Sequence, residues 1–285
     1  MLVTLNKVLR IAQAKKFAVG AFNSYNLEST AAIISGAEAV ESPVIIQTSE
    51  KAIEYAGGIK QLAAIIINRA KSSPVPIVFH LDHGRTHSVI YSAIESGYTS
   101  VMFDGSRLPY KDNTRWTKEV VKRAHARGIS VEAELGRVGG VEDDMSAEEG
   151  MTDPGLAAEF VHETHCDALA VGIGNNHGKP KPREYLHLDL LRRIAEVVTI
   201  PLVLHGASGT PEEQIKQAIA FGVTKINIDT DLRLAFAAAE RDLLLHNKNI
   251  YDPRDILAPA TKAMRDVVTQ KLALFGSAMK ARYIE

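Results

Sequence analysis

Eight short runs rich in Val, Ile, Phe and Ala recur along the 285-residue chain, and they set the terms for any fold it can adopt. They are AVGAFN (18–23), PVIIQTS (43–49), PIVFHLD (76–82), SVMFDGS (100–106), SVEAELG (130–136), ALAVGIG (168–174), PLVLHG (201–206) and KINIDT (225–230). Between them lie segments with helical apolar spacing, among them LESTAAIISGAEAV, IKQLAAIIINRAK, TRWTKEVVKRAHARG, GLAAEFVHETH and PEEQIKQAIAFG. Strand-like and helix-like segments that alternate in this way are the mark of βαβ units. Runs that are apolar at almost every position imply a parallel sheet buried on both faces. Eight such units in a chain of this length favour a closed (β/α)8 TIM barrel over a doubly wound open sheet, as one domain over residues 1–285. Beyond Lys225, LRLAFAAAERDLLLHN and a further stretch after YDPR read as the last barrel helix plus an extra C-terminal helical element. At the other end, MLVTLNKVLRIAQAKK reads as an amphipathic helix, not a signal peptide.

Composition narrows the class of function. With 46% hydrophobic and 24% charged residues the chain is that of a soluble globular protein, and no apolar run approaches the roughly 20 residues that span a bilayer. The formal net charge is −1 with both signs scattered, so there is no basic footprint for nucleic acid. A cytoplasmic protein without membrane or nucleic-acid partners is expected. The lone Cys166 has no partner for a disulfide and reads as a small buried apolar residue.

Polar residues gather at the C-terminal ends of the predicted strands: Asn23, Gln47, Ser49, Asp82, Asp104, Glu134, His205, Asn227 and Asp229, with His83 and His177 in the turns just beyond. One such residue is ordinarily a turn former or a helix cap. In a barrel, however, all eight strand ends share the face on which active sites are built. His83, His177 and His205 each precede a glycine, and three imidazoles from three strand ends suit a Zn²⁺-like ion with an open fourth position. By contrast, His125, His162, His165 and His246 lie in helical segments and His187 in a polar loop, where surface or packing roles are expected. His80 and Asp82, two apart in a strand, point to the same side, which makes His80 a candidate orienting group. HGASG (205–209) and NIDT (227–230) follow strands seven and eight, where barrel enzymes bind phosphate at a helix N-terminus. Ser208 and Thr230 add hydroxyl donors there.

The motifs HLDHG, SVMFDGS, VEAELGRVGGVEDD, GNNHGKPK, PLVLHGASG and KINIDTDLR resemble, in order and from end to end, those of class II zinc-dependent ketose-bisphosphate aldolases. The resemblance implies that His83, His177 and His205 hold zinc, that Asp82 is the catalytic acid/base, and that Asp104 and Glu134 serve a second or displaced metal position, with room for a monovalent cation. It implies that Gly178, Gly206, Ala207, Ser208, Asn227, Ile228, Asp229 and Thr230 bind dihydroxyacetone phosphate. Strand-end Asn23 and Ser49 join that substrate set, and Lys181 matches a lysine found four residues after the NxHG histidine. GKPKPRE departs from the family pattern, which commonly carries an aromatic and then a glycine around that lysine. The implied reaction is reversible cleavage of fructose 1,6-bisphosphate to dihydroxyacetone phosphate and glyceraldehyde 3-phosphate, tagatose 1,6-bisphosphate being the alternative substrate. INIDTDLRLAF looks closer to the fructose-bisphosphate members. The partners are then phosphorylated ketoses and triose phosphates, and a homodimer or homotetramer is implied.

The acidic, glycine-hinged stretch RVGGVEDDMSAEEGMT (137–152) has the features of a mobile lid, and Glu142 within it is a candidate base for the C3 proton. A Schiff-base aldolase would need an inward lysine, and Lys225 at the start of strand eight sits at the wrong end for the active face. A metal-dependent phosphate-ester hydrolase and a non-catalytic phospho-sugar binder remain as readings from other classes.

Overall fold

The structure, a computed structural model, describes residues 1–142, 145–147, 150–178 and 186–284, with 141, 142 and 145–147 as backbone alone. Eight parallel strands form a closed barrel: β1 (Val19–Asn23), β2 (Val44–Thr48), β3 (Ile77–Gly84), β4 (Ser100–Phe103), β5 (Ser130–Leu135), β6 (Ala168–Val171), β7 (Leu202–Leu204) and β8 (Val223–Ile228). Neighbours in sequence are neighbours in space, and β8 closes onto β1 with Val19 opposite Lys225 and Ala21 opposite Asn227. Each of the eight apolar runs supplies one strand. Their outward side chains, such as Phe79, Val101, Val131 and Leu204, pack under the surrounding helices in the larger of two apolar clusters.

The N-terminal helix Leu5–Lys15 closes the barrel floor. Its buried face, Leu5, Val8, Leu9 and Ala12, packs on Val19, Ala21, Ile45, Val78 and Ala168 from the strands. The Thr4 side chain caps it, and a left-handed Lys16 ends it. The tail forms two helices, Thr230–His246 and Pro253–Leu274. The second packs on the helix Leu27–Ala39 at a close approach that requires a glycine, because a Cβ on Gly36 would lie 2.8 Å from Val268. Among the described residues no helix is long and apolar enough to cross a membrane.

Two features add to the sequence reading. The stretch expected as a mobile lid contains strands Gly139–Glu142 and Met145–Ala147, antiparallel to each other, and the first also pairs in parallel with Asn176–His177. Backbone pairing thereby links this stretch to the segment that carries His177. β3 also runs to Gly84, taking in His83 as a strand residue.

Candidate active site

In a regular strand adjacent side chains point to opposite faces, so Asp82 and His83 should not share one. β3 escapes this with a bulge. Leu81 pairs with Val101 but Gly84 with Phe103, which places one extra residue in β3, and His83 takes a left-handed φ of 47°. Such an insertion re-aims a side chain. His83 Nε2 consequently lies 4.0 Å from Asp82 Oδ1, and both groups face the barrel mouth.

Three histidines converge there. His83 Nε2 is 2.9 Å from His205 Nδ1, and the possible ligand atoms of His83, His177 and His205 all lie within 4.8 Å of one another. His177 is carried by the small sheet, through the pairing of Gly140 with His177. His83 Nδ1 is 2.9 Å from Asp104 Oδ2, and His205 Nε2 is 2.8 Å from Glu132 Oε1. A carboxylate must accept, so each of these ring nitrogens carries the proton and the opposite nitrogen offers a lone pair to the centre. Burial lowers His205 to about 4, against the opposing effect of the hydrogen bond it gives to Glu132, so the ring is neutral at ordinary pH. Neutral imidazoles with oriented second nitrogens are the donor set that a zinc-like cation requires, so the residues fit the ion. His83, Asp104 and Glu134 form a second group able to hold a cation. Burial would raise the Asp104 carboxyl, but the adjacent His83, with Ser106, holds it far below the usual carboxylate range.

Asp82 is fully buried and oriented by amides: Gln47 Nε2 donates to Oδ2 at 2.8 Å and Asn227 Nδ2 to Oδ1 at 3.2 Å. Gln47 Nε2 also donates to Asn23 Oδ1 at 2.7 Å, which ties β1, β2 and β3 together at their tops. On the other flank, Asn23, His177, Gly178, Gly206, Ser208, Asn227 and Thr230 line one cavity. The helix Thr230–His246 points its N-terminus there, and the Asp231 amide donates to Ser208 Oγ at 3.4 Å. Ala207 and Ile228 are buried, so they can offer only backbone to a ligand.

Several candidates make further contacts that their residue types do not announce. Asp229 and Arg233 line the same cavity, where the Asp229 carboxyl accepts from the Tyr25 hydroxyl and from Arg233, whose Nε lies 3.0 Å away. Burial raises it to about 6 against the pull of Arg233. Ser49 Oγ caps the helix Glu50–Tyr55, accepting from Ala52 N at 3.3 Å, and lines a neighbouring cavity with Tyr25 and Arg233. His80 lies one layer below the ligands: its Nδ1 is 2.9 Å from Ser100 Oγ and its Nε2 3.5 Å from Glu132, the carboxylate that meets His205. Lys225 is rooted low in β8 but its ammonium rises beneath the site, 2.9 Å from Glu132 Oε2 and 2.8 Å from Asn227 Oδ1. Its backbone sits in the half of β8 away from the active face, as the sequence implies, and the extended side chain carries the nitrogen up to the site. Lys181 and the Glu142 side chain lie outside the described residues. Sequence reasoning assigned no role to Gln47, Arg233, Glu132 or Lys225, although alternation from Asp82, Glu134 and Asn227 marks Glu132 and Lys225 as inward-facing.

Among known proteins, residues 3–280 match the family described as fructose-bisphosphate aldolase class-II. A fructose-bisphosphate aldolase of Geobacillus stearothermophilus is 44% identical over 98% of this chain and 99% of its own length. One from Thermus caldophilus is 43% identical over 99% of this chain and 100% of its own. The crystal structure of the YdjI aldolase from Escherichia coli K12 superposes with a TM-score of 0.86 at 36% identity, covering 99% of this chain and 100% of that one. That of a putative fructose-1,6-biphosphate aldolase from Coccidioides immitis does so at 0.89 and 33%, covering 97% of each. With matches spanning the whole barrel and the polar groups of its mouth, the chain belongs to the class II fructose-bisphosphate aldolase family.

Proposed function

We propose that this protein is a zinc-dependent aldolase that reversibly cleaves fructose 1,6-bisphosphate into dihydroxyacetone phosphate and glyceraldehyde 3-phosphate. The observation that carries this reading is the bulge in β3, which sets a buried carboxylate beside three convergent imidazoles. Zn²⁺ on His83, His177 and His205 supplies, when bound, the positive charge that stabilises the electron pair left at C3. Asp82 takes the C4 hydroxyl proton in cleavage and returns it in condensation, held in place by Gln47 and Asn227. Glu142 moves the C3 proton. The phosphate of the dihydroxyacetone half sits on Gly178, the Gly206–Ser208 turn and the N-terminus of the helix Thr230–His246, where backbone N–H groups point outward. Ser208 accepts from the helix and can donate its own proton to the phosphate.

The chain acts as one cytoplasmic domain in a homodimer or homotetramer. Support for assembly comes from the helix Thr230–His246, which buries Leu232 alone while Leu234 and Leu245, 44% and 72% exposed, face outward.

The test is to present fructose and tagatose 1,6-bisphosphates to one zinc-loaded preparation and assay triose phosphates and inorganic phosphate together. Triose phosphates, faster from the fructose ester and abolished by a chelator, are expected. Faster cleavage of the tagatose ester would reassign the substrate. Release of inorganic phosphate would identify a hydrolase, and substrate-dependent inactivation by borohydride a Schiff-base enzyme. Ser208→Ala should weaken binding of the phosphorylated substrate by about 1.5–3 kcal/mol, the worth of a charge-assisted hydrogen bond, without loss of zinc.

A further inference from the structure

Beneath the cluster of histidines the barrel interior holds a second polar layer. Glu132, Lys225, His80 and Ser100 are all wholly buried, in a region where a barrel is ordinarily filled by apolar side chains. Below them apolar side chains predominate down to the helix that closes the floor, where Ser130 Oγ accepts from the Asn6 amide at 3.0 Å. A lysine and a glutamate taken this far from water cost more to desolvate than a simple pairing returns. Their contacts are directed upward. Glu132 Oε1 meets His205 Nε2 at 2.8 Å, and Lys225 Nζ is 2.9 Å from Glu132 Oε2. Lys225 Nζ also donates to Asn227 Oδ1 at 2.8 Å, which turns the amide so that Nδ2 donates to Asp82.

We propose that Lys225 and Glu132 are positioning residues: Glu132 fixes His205 as the tautomer whose Nδ1 faces the cation, and Lys225 holds both Glu132 and the Asn227 amide that orients Asp82. One buried ammonium thereby sets the geometry of the metal site and of the acid/base together. The inference rests on the proposed aldolase reading for its catalytic half, whereas the tautomer of His205 is a property of the protein without metal.

Two charge-balanced double variants separate this role from mere filling of the core. Glu132→Gln with Lys225→Met keeps an oxygen able to accept from His205. Glu132→Leu with Lys225→Met removes it. Side-chain ¹⁵N–¹H correlation spectra of the metal-free proteins report the His205 tautomer, and Co²⁺ titration reports affinity and ligand field. The wild type and the Gln/Met variant should show a protonated Nε2 and bind Co²⁺ within a few-fold of each other. The Leu/Met variant should lose the single tautomer and bind Co²⁺ about 10- to 100-fold more weakly, as loss of an outer-shell partner does. The Gln/Met variant should further cleave substrate with a lowered kcat while exchange of the C3 proton continues, since Asn227 has lost its anchor.

A folded Leu/Met variant with wild-type Co²⁺ affinity and spectrum would overturn the role of Glu132, as would a wild-type His205 protonated on Nδ1. Unchanged kcat in the Gln/Met variant would overturn the role of Lys225. A wild type that shows the expected tautomer and takes up no divalent cation would instead count against the aldolase reading, leaving the orientation of His205 intact. Thermal melts are read on the same samples. A Gln/Met variant that fails to fold is replaced by Glu132→Gln alone, and a Leu/Met variant that fails to fold by Glu132→Met with Lys225→Met, which also lacks the acceptor, so that the tautomer and Co²⁺ criteria carry over to each.

Discussion

Asp82 and His83 stand next to each other and do different work, and substitution should separate the two. Asp82→Ala leaves all three imidazoles in place, so zinc content and exchange of the C3 proton should persist. Carbon–carbon cleavage should fall roughly 10²–10⁴-fold, the usual effect of losing a general acid/base. His83→Ala should abolish exchange and cleavage together, because two remaining imidazoles rarely hold zinc against water. Metal analysis beside the two assays decides it. An Asp82→Ala protein that sheds its zinc, or cleaves at full rate, would make the carboxylate structural. At this scale the sequence was most legible for His83, His177 and His205, each marked by a following glycine at a strand end. It was least legible for Asp229 and Ser49. Their residue types suit a phosphate site, but residue type alone does not reveal the contacts they also make, Asp229 with Tyr25 and Arg233 and Ser49 with the Ala52 amide.

Elements place these residues through close backbone contacts. Gly206 follows β7 with φ 58°, and a Cβ there would lie 2.4 Å from the Asn176 carbonyl oxygen, the residue before His177. Gly206→Ala should therefore push the Asn176–His177 segment out of register, destabilising the fold by about 1–3 kcal/mol and weakening zinc binding. Gly128 is the control. Its φ is also positive, at 68°, but nothing lies within 4 Å, so Gly128→Ala should cost about 1–2 kcal/mol for the left-handed backbone and leave the metal in place. Urea titration and zinc stoichiometry on both variants distinguish local strain from displacement of a ligand. The existence of every barrel strand could be read from the apolar runs, because burial on both faces leaves an unambiguous pattern. The small sheet could not. Its strands are two to four residues long, too short for alternation to register, and pairing of Gly139 with Asn176 is a long-range event.

Across the whole molecule, burial of imidazoles couples stability to pH. His205 is lowered to about 4, and His80 is lowered as well, burial being the first cause for both and the Lys225 ammonium adding to it at His80. An imidazole in the unfolded chain titrates near about 6.5, so below that pH the unfolded state takes up protons that the folded state refuses. Their contribution is complete above about 6.5 and is lost as pH falls toward about 4. Asp229, raised to about 6, acts in the opposite sense: its contribution is complete below about 3.9 and is lost as pH rises through 6. In metal-free protein, urea midpoints of Asp229→Asn should accordingly rise more steeply between pH 4 and 6 than those of the wild type. Parallel curves would mean that Asp229 titrates alike in both states. None of this was visible in composition, since a net charge of −1 reports how many groups titrate and says nothing of which are buried together.

The bulge in β3 bears on how such a site can be moved. A regular strand delivers every second residue to the lumen, so a designer who writes Asp-His onto the strand end of another barrel installs only one of the pair inside it. The transferable unit is the dipeptide together with one surplus residue in the register, a left-handed backbone at the second position and the glycine after it. Gly84 cannot be exchanged in that unit, because a Cβ there would come within 2.7 Å of the Met102 carbonyl oxygen. What has to be grafted is therefore an insertion, and a transplant made by substitution alone should yield a well-folded barrel that carries either the metal ligand or the acid/base inside it, never both.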